Sequence, residues 1–147
     1  MRYKIILFLI ALIFIFVTNS FAYVIIAVEK GSVFYESKND KVTEDKGMNK
    51  IYYEVDEENK TVTRTKVVVL KSNEVIPDNT VYTIISPDSQ ESIVSGEKVI
   101  HAIGQPGLNA YELLTIGKDY VMSSKSTGDY VIVFNCKITE RSDIPDK

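Results

Sequence analysis

The 147-residue chain has one cysteine, one histidine and no tryptophan. A lone Cys136 excludes an internal disulfide framework and a cysteine-built zinc finger, and a lone His101 excludes a multi-histidine metal centre within one chain. Basic residues number 17 against 20 acidic ones, intermixed along the chain, for a formal charge of -3. The clustered Lys and Arg needed to track a phosphate backbone are missing, so no nucleic-acid partner is expected. GxSxG, a phosphate-cradling glycine loop and HExxH are also missing, and the acidic run Glu54, Asp56, Glu57, Glu58 lacks the Asp-x-Asp-x-Asn-Gly pattern of a calcium loop. Neither an enzyme nor a cofactor or metal is expected. What remains is 45% hydrophobic and 25% charged residues, the composition of one globular domain.

The amino terminus carries the strongest single signal. Arg2 and Lys4 precede an unbroken apolar run over residues 5–17, followed by Thr18-Asn19-Ser20. This is the layout of a secretory signal peptide, with Ser20 and Ala22 supplying the small residues that a signal peptidase accepts. Residues 1–22 are therefore expected to be a cleaved signal, and the protein to be exported, secreted or periplasmic. The alternative keeps residues 5–28 as an uncleaved membrane anchor, since Tyr23 to Val28 is also apolar and a span needs roughly 20 such residues. Membrane association would then run through residues 5–28. Basic residues before the apolar run leave the domain outside the cytoplasm on either reading.

Residues 23–139 read as a single mainly β domain: a small antiparallel β-barrel or sandwich of about seven or eight strands, from short β-rich runs separated by turn residues. Tyr130, Ile132, Phe134, Cys136 and Ile138 alternate on one face, and with residues 120–124 and the turn at 126–129 they predict a hairpin. Ile51, Tyr53 and Val55 share a face in a second hairpin whose other arm, residues 61–70, alternates imperfectly and predicts a bulge. Residues 36–50 read as a long loop, Pro77-Asp78-Asn79 and Pro87-Asp88-Ser89 as turns, and 93–103 as two strand pieces. Gly104-Gln105-Pro106-Gly107 reads as a break. Residues 109–116 fit either a strand or one short helix, with Asn109 and Glu112 at capping-box spacing and Gly117 beyond the end. Residues 140–147 read as a polar, frayed tail.

Gly31-Ser32-Val33-Phe34-Tyr35-Glu36, after an export signal and before a run of hairpins, loosely resembles the opening of lipocalin-type barrels, which begin with Gly-x-Trp. Val33 stands where that family has tryptophan, and no functional residue is carried over.

Cys136 and His101 are the only residues able to form a thiol–imidazole pair. The strand position of Cys136 between Phe134 and Ile138 argues instead for a small core residue. Tyrosine is abundant, with 9 in the chain, and combines apolar area with a polar tip suited to a cavity mouth. The ligand-binding candidates are Tyr35, Tyr82, Tyr111 and Tyr120, together with Gln105 of the constrained Gly-Gln-Pro-Gly segment. The functional expectation is an exported, non-enzymatic binding module for a small apolar ligand, an envelope component or a protein partner. A membrane-anchored structural or assembly component of the cell envelope is the alternative, and a carboxylate-based hydrolase ranks third.

Overall fold

The computed structural model describes residues 22–86 and 96–143. These form nine strands and no helix: β1 (Ala22–Glu36), β2 (Lys41–Lys46), β3 (Asn49–Asp56), β4 (Thr61–Val69), β5 (Glu74–Ile84), β6 (Ile100–Gly107), β7 (Ala110–Ile116), β8 (Tyr120–Ser126) and β9 (Tyr130–Asp143). Every pairing is antiparallel between neighbours, and β9 returns to β1, so β1 and β3 to β9 close an eight-stranded barrel. Closure removes the unpaired edges that an open sheet exposes. Along its other edge β1 pairs with β3 in its first half and with the extra strand β2 in its second half.

Eight strands enclose a space just wide enough for side chains to fill. Alternation fills it: Ile25 and Ala27 on β1, Tyr53 and Val55 on β3, Val62 on β4 and Leu114 on β7 are each at most 1% exposed. Burial of one such aliphatic side chain contributes about 1.5–3 kcal/mol. Both expected hairpins are present. Ile51, Tyr53 and Val55 are buried together on β3, and β8 and β9 pair from Tyr120↔Lys137 to Ser126↔Val131. The irregular alternation of β4 has the expected cause, a register shift that leaves Thr65 extra between Arg64 and Lys66.

Several readings change. Of the segment 109–116, residues 110–116 are strand and none is helix: Asn109 is a left-handed turn residue (φ 60°), and Glu112, Leu114 and Ile116 point inward while Tyr111 and Leu113 face out. Pairing with both β6 and β8 overrides the capping-box spacing. The long loop contains β2, whose charged residues tolerate the strand's free outer edge. Pro77 lies within β5 beside its bulge against β4, in the part of the strand that β6 does not pair, a position that tolerates proline. Gly104-Gln105-Pro106-Gly107 is the upper part of β6, not a break. Gly104 is required there, because a Cβ would lie 2.6 Å from the buried Tyr82 ring.

The barrel reaches past the expected domain end, since residues 140–143 pair with the start of β1. Tyr23 to Val28 belong to the barrel wall, paired with β3 and β9. The expected signal peptide up to residue 21, the expected turn at 87–89, the part of the expected strand pieces at 93–95 and the end of the expected tail at 144–147 lie outside the described residues.

Candidate functional site

Two polar constellations sit in the barrel, and bulges place both. In an antiparallel pair, residues directly opposite share a face, so one extra residue on one strand reverses which side chains point inward beyond it. On β4 the extra Thr65 lets both Arg64 and Val67 face inward, opposite Tyr53 and Ile51. On β9 the extra Thr139, whose hydroxyl donates to the Ile26 carbonyl, separates Ile138, opposite Ala27, from Arg141, opposite Ile25.

The first constellation is central and filled. Arg64 Nη1 donates to both Glu112 oxygens at 2.9 and 3.1 Å, Arg64 Nε donates to Asp78 Oδ2 at 2.7 Å, and the Ser123 hydroxyl donates to Glu112 Oε1. Burial works against the Arg64 charge, but Glu112 and Asp78 outweigh it and hold the guanidinium above its ordinary range. Burial likewise opposes the Asp78 carboxylate, while hydrogen bonds from Thr80 and Arg64 leave it below its ordinary range. Tyr82 lies under Arg64, ring centroid 5.7 Å from Cζ, and its buried hydroxyl has no hydrogen-bond partner among the described residues. Burial and the nearby Glu112 charge keep that phenol protonated. Higher in the barrel, the buried Glu29 accepts from Asn49 Nδ2 at 2.7 Å. These groups occupy one another, which makes the cluster a clamp across β4, β5, β7 and β8.

The second constellation is open. At the end of the barrel where β1 begins, a cavity of about 350 Å³ is floored by Ile100 and Ile116 and walled by Tyr23, Glu57, Lys98, Gly117 and Arg141, with Glu97 and Lys118 at its rim. Glu57 is engaged twice: the Tyr23 hydroxyl donates to Oε1 at 3.2 Å and Lys98 Nζ pairs with Oε2. Burial, then the Glu57 charge, push the Tyr23 phenol up to about 12. Lys118 pairs with Glu97 at 3.6 Å. Arg141 stacks on the Tyr23 ring, Cζ 5.2 Å from the centroid, and donates Nη2 to the Gly117 carbonyl at 3.2 Å. A shallower depression of about 420 Å³ crosses the upper part of β1, β2 and β9, lined by Lys30, Val33, Glu44 and Asn135 among others.

The residues singled out from the sequence do not converge. Tyr82 is fully buried, Tyr35 is exposed and donates to Asp40 at 3.3 Å, and Gln105 and Tyr111 face solvent on β6 and β7. Tyr120 lies nearest the cavity, its ring packed where a Cβ on Gly117 would sit. Cys136 points into the core, and burial followed by the Glu29 and Glu112 charges pushes its thiol up to about 12. His101, opposite Thr115, contacts its hydroxyl through Nδ1 at 3.0 Å, so no thiol–imidazole pair forms. Among the described residues no group of three His, Cys, Asp or Glu could hold a metal ion.

Sequence reasoning missed Tyr23, Glu57, Lys98 and Arg141. Arg141 falls in the expected tail, and only the bulge at Thr139 aims it at the cavity; strict alternation from Ile138 would have turned it outward. Comparison with family models, curated proteins and solved structures finds no match to this chain, so the site's own geometry carries the functional reading.

Proposed function

We propose that the protein is an exported, non-enzymatic binding module that takes a small, partly apolar molecule at the barrel-end cavity. The observation that carries this reading is the contrast between the two constellations: the central polar groups satisfy one another, whereas the cavity pairs an apolar floor with a polar wall and leaves room between them. Such concavity with a few convergent polar groups is the usual form of a small-molecule site. The ligand expectation narrows accordingly, from a small apolar ligand, an envelope component or a protein partner to a small molecule with a polar end held at the cavity mouth. Export rests on the amino-terminal apolar run with its preceding Arg2 and Lys4.

The test is native mass spectrometry of the full-length gene product recovered from outside the cytoplasm, beside the denatured mass of the same sample. The expected result is a chain beginning at Tyr23, with additional mass that is lost on denaturation. Titration with small molecules should shift the amide signals of Tyr23, Ile116 and Gly117. An intact amino terminus in the membrane fraction, no extra mass and no such shifts would overturn this reading in favour of the anchored envelope component.

A further inference from the structure

We propose that the cavity recognises a carboxylate: its ligand is a small organic acid whose apolar body rests on Ile100 and Ile116 and whose carboxylate is gripped by Arg141. This deepens the binding-module reading and rests on it.

The argument begins with charge accounting at the mouth. Lys98 is matched by Glu57 and Lys118 by Glu97. Arg141 is the cation of this wall that forms no ion pair among the described residues. It is nevertheless held in place, stacked on Tyr23 from one side and tied to the Gly117 carbonyl through one nitrogen. A guanidinium carries five N–H donors in a rigid fork that matches a carboxylate in two parallel hydrogen bonds. With one donor committed and the plane fixed against an aromatic face, the remaining donors are preorganised, which lowers the entropic cost of gripping an anion.

The backbone supports the same assignment. The bulge at Thr139 is what turns Arg141 to the face of Ile25, above the cavity. Bulges recur where a strand must re-aim one side chain, and here the re-aimed residue is the unmatched cation. The floor then sets the rest of the ligand. Ile100 and Ile116 are at most 6% exposed and offer apolar contact but no hydrogen bond, which suits a short hydrocarbon body and not a second charged group.

Three probes of equal chain length test the proposal: hexanoate, hexanol and hexylamine, each titrated into the barrel and followed by amide chemical shifts of Tyr23, Gly117 and Arg141. Hexanoate should bind at least about tenfold more tightly than hexanol, with hexylamine weakest, and its affinity should fall with added salt while that of hexanol does not. Arg141→Gln should reduce hexanoate to the hexanol level, and Arg141→Lys, which keeps the charge without the fork, should fall between. If hexanol or hexylamine binds as well as hexanoate, or hexanoate affinity ignores both salt and Arg141→Gln, carboxylate recognition is refuted while cavity binding stands. Should none of the three shift these signals, the binding-module reading falls with it. The salt series on the unmodified protein separates these outcomes even if a variant fails to fold.

Discussion

Arg64 and Glu112, 48 residues apart in sequence, meet inside the barrel with one guanidinium nitrogen 2.9 and 3.1 Å from the two carboxylate oxygens. Glu112 is 2% exposed, so neither water nor salt screens the pair effectively. Ser123 and Asp78 complete the set, and four strands are thereby locked in one register. The first prediction concerns this pair. Glu112→Gln leaves the Arg64 charge with Asp78 as its remaining carboxylate partner and should cost up to about 3 kcal/mol, the lower end of the penalty for breaking a buried pair. The double variant Arg64→Met with Glu112→Leu removes both charges of this pair but leaves Asp78 without its cation and Ser123 without its acceptor, and should recover part of that loss. Urea midpoints of the wild type and both variants check it; equal losses in the single and double variants would show that packing matters here and charge does not.

Tyr82 gives the opposite expectation within the same cluster. Its hydroxyl is buried without a hydrogen-bond partner among the described residues, so the folded state already bears the desolvation of that group. Tyr82→Phe should therefore leave stability unchanged or raise it by up to about 1 kcal/mol. Ser123→Ala, which removes a donor from Glu112, should cost about 1–3 kcal/mol. Thermal or urea denaturation ranks the two variants, and a loss for Tyr82→Phe matching that for Ser123→Ala would contradict the assignment.

Gly104 and Tyr82 are coupled by space. An alanine Cβ at 104 would stand 2.6 Å from the fully buried ring and 3.0 Å from the Val81 carbonyl oxygen. Gly104→Ala should destabilise by about 1–3 kcal/mol, the range for overpacking. Gly107→Ala, where a Cβ meets nothing, is the matched control. In a Tyr82→Leu background the cost of Gly104→Ala should shrink, and a double-mutant cycle measures by how much.

Cys136 predicts an alkaline weakness. Its thiol is pushed up to about 12 in the fold, against about 8.5 in an unfolded chain. The native state thus favours the protonated form, and the resulting stability is complete below about pH 8.5 and lost as pH rises toward the folded value. Urea midpoints should fall between about pH 8 and pH 9.5, before tyrosine ionisation begins near 10, and Cys136→Ala should flatten that decline. The same burial predicts negligible maleimide labelling of the native protein and full labelling in urea.

Asp78 acts at the acid end. Its carboxylate lies below the ordinary range because Thr80 and Arg64 outweigh the burial that opposes it. Its contribution is present above the unfolded value of about 3.9 and disappears as pH falls through the lower folded value. Asp78→Asn should lower stability at neutral pH and reduce the loss between about pH 4 and pH 2. A variant whose acid profile parallels the wild type would assign that loss to other carboxylates.

Local pattern in the sequence was enough for the fold class and for the clearest pieces of wall. Alternation in Tyr130 to Ile138 and in Ile51 to Val55 reports burial of one face directly, because period two is a property of the strand itself. The broken alternation of residues 61–70 announced a bulge for the same reason. What local pattern could not decide is everything that depends on a partner strand. Residues 109–116 satisfied helix and strand templates equally, and only β6 and β8 on either side made them strand. The charged stretch at 41–46 becomes strand because β1 outruns β3 and offers it an edge. Closure of β9 on β1, the meeting of Arg64 with Glu112 and the turning of Arg141 over Tyr23 all depend on register between distant segments. Register is set by the summed packing of the whole barrel, and a single extra residue at Thr65 or Thr139 decides which side chains that packing encloses.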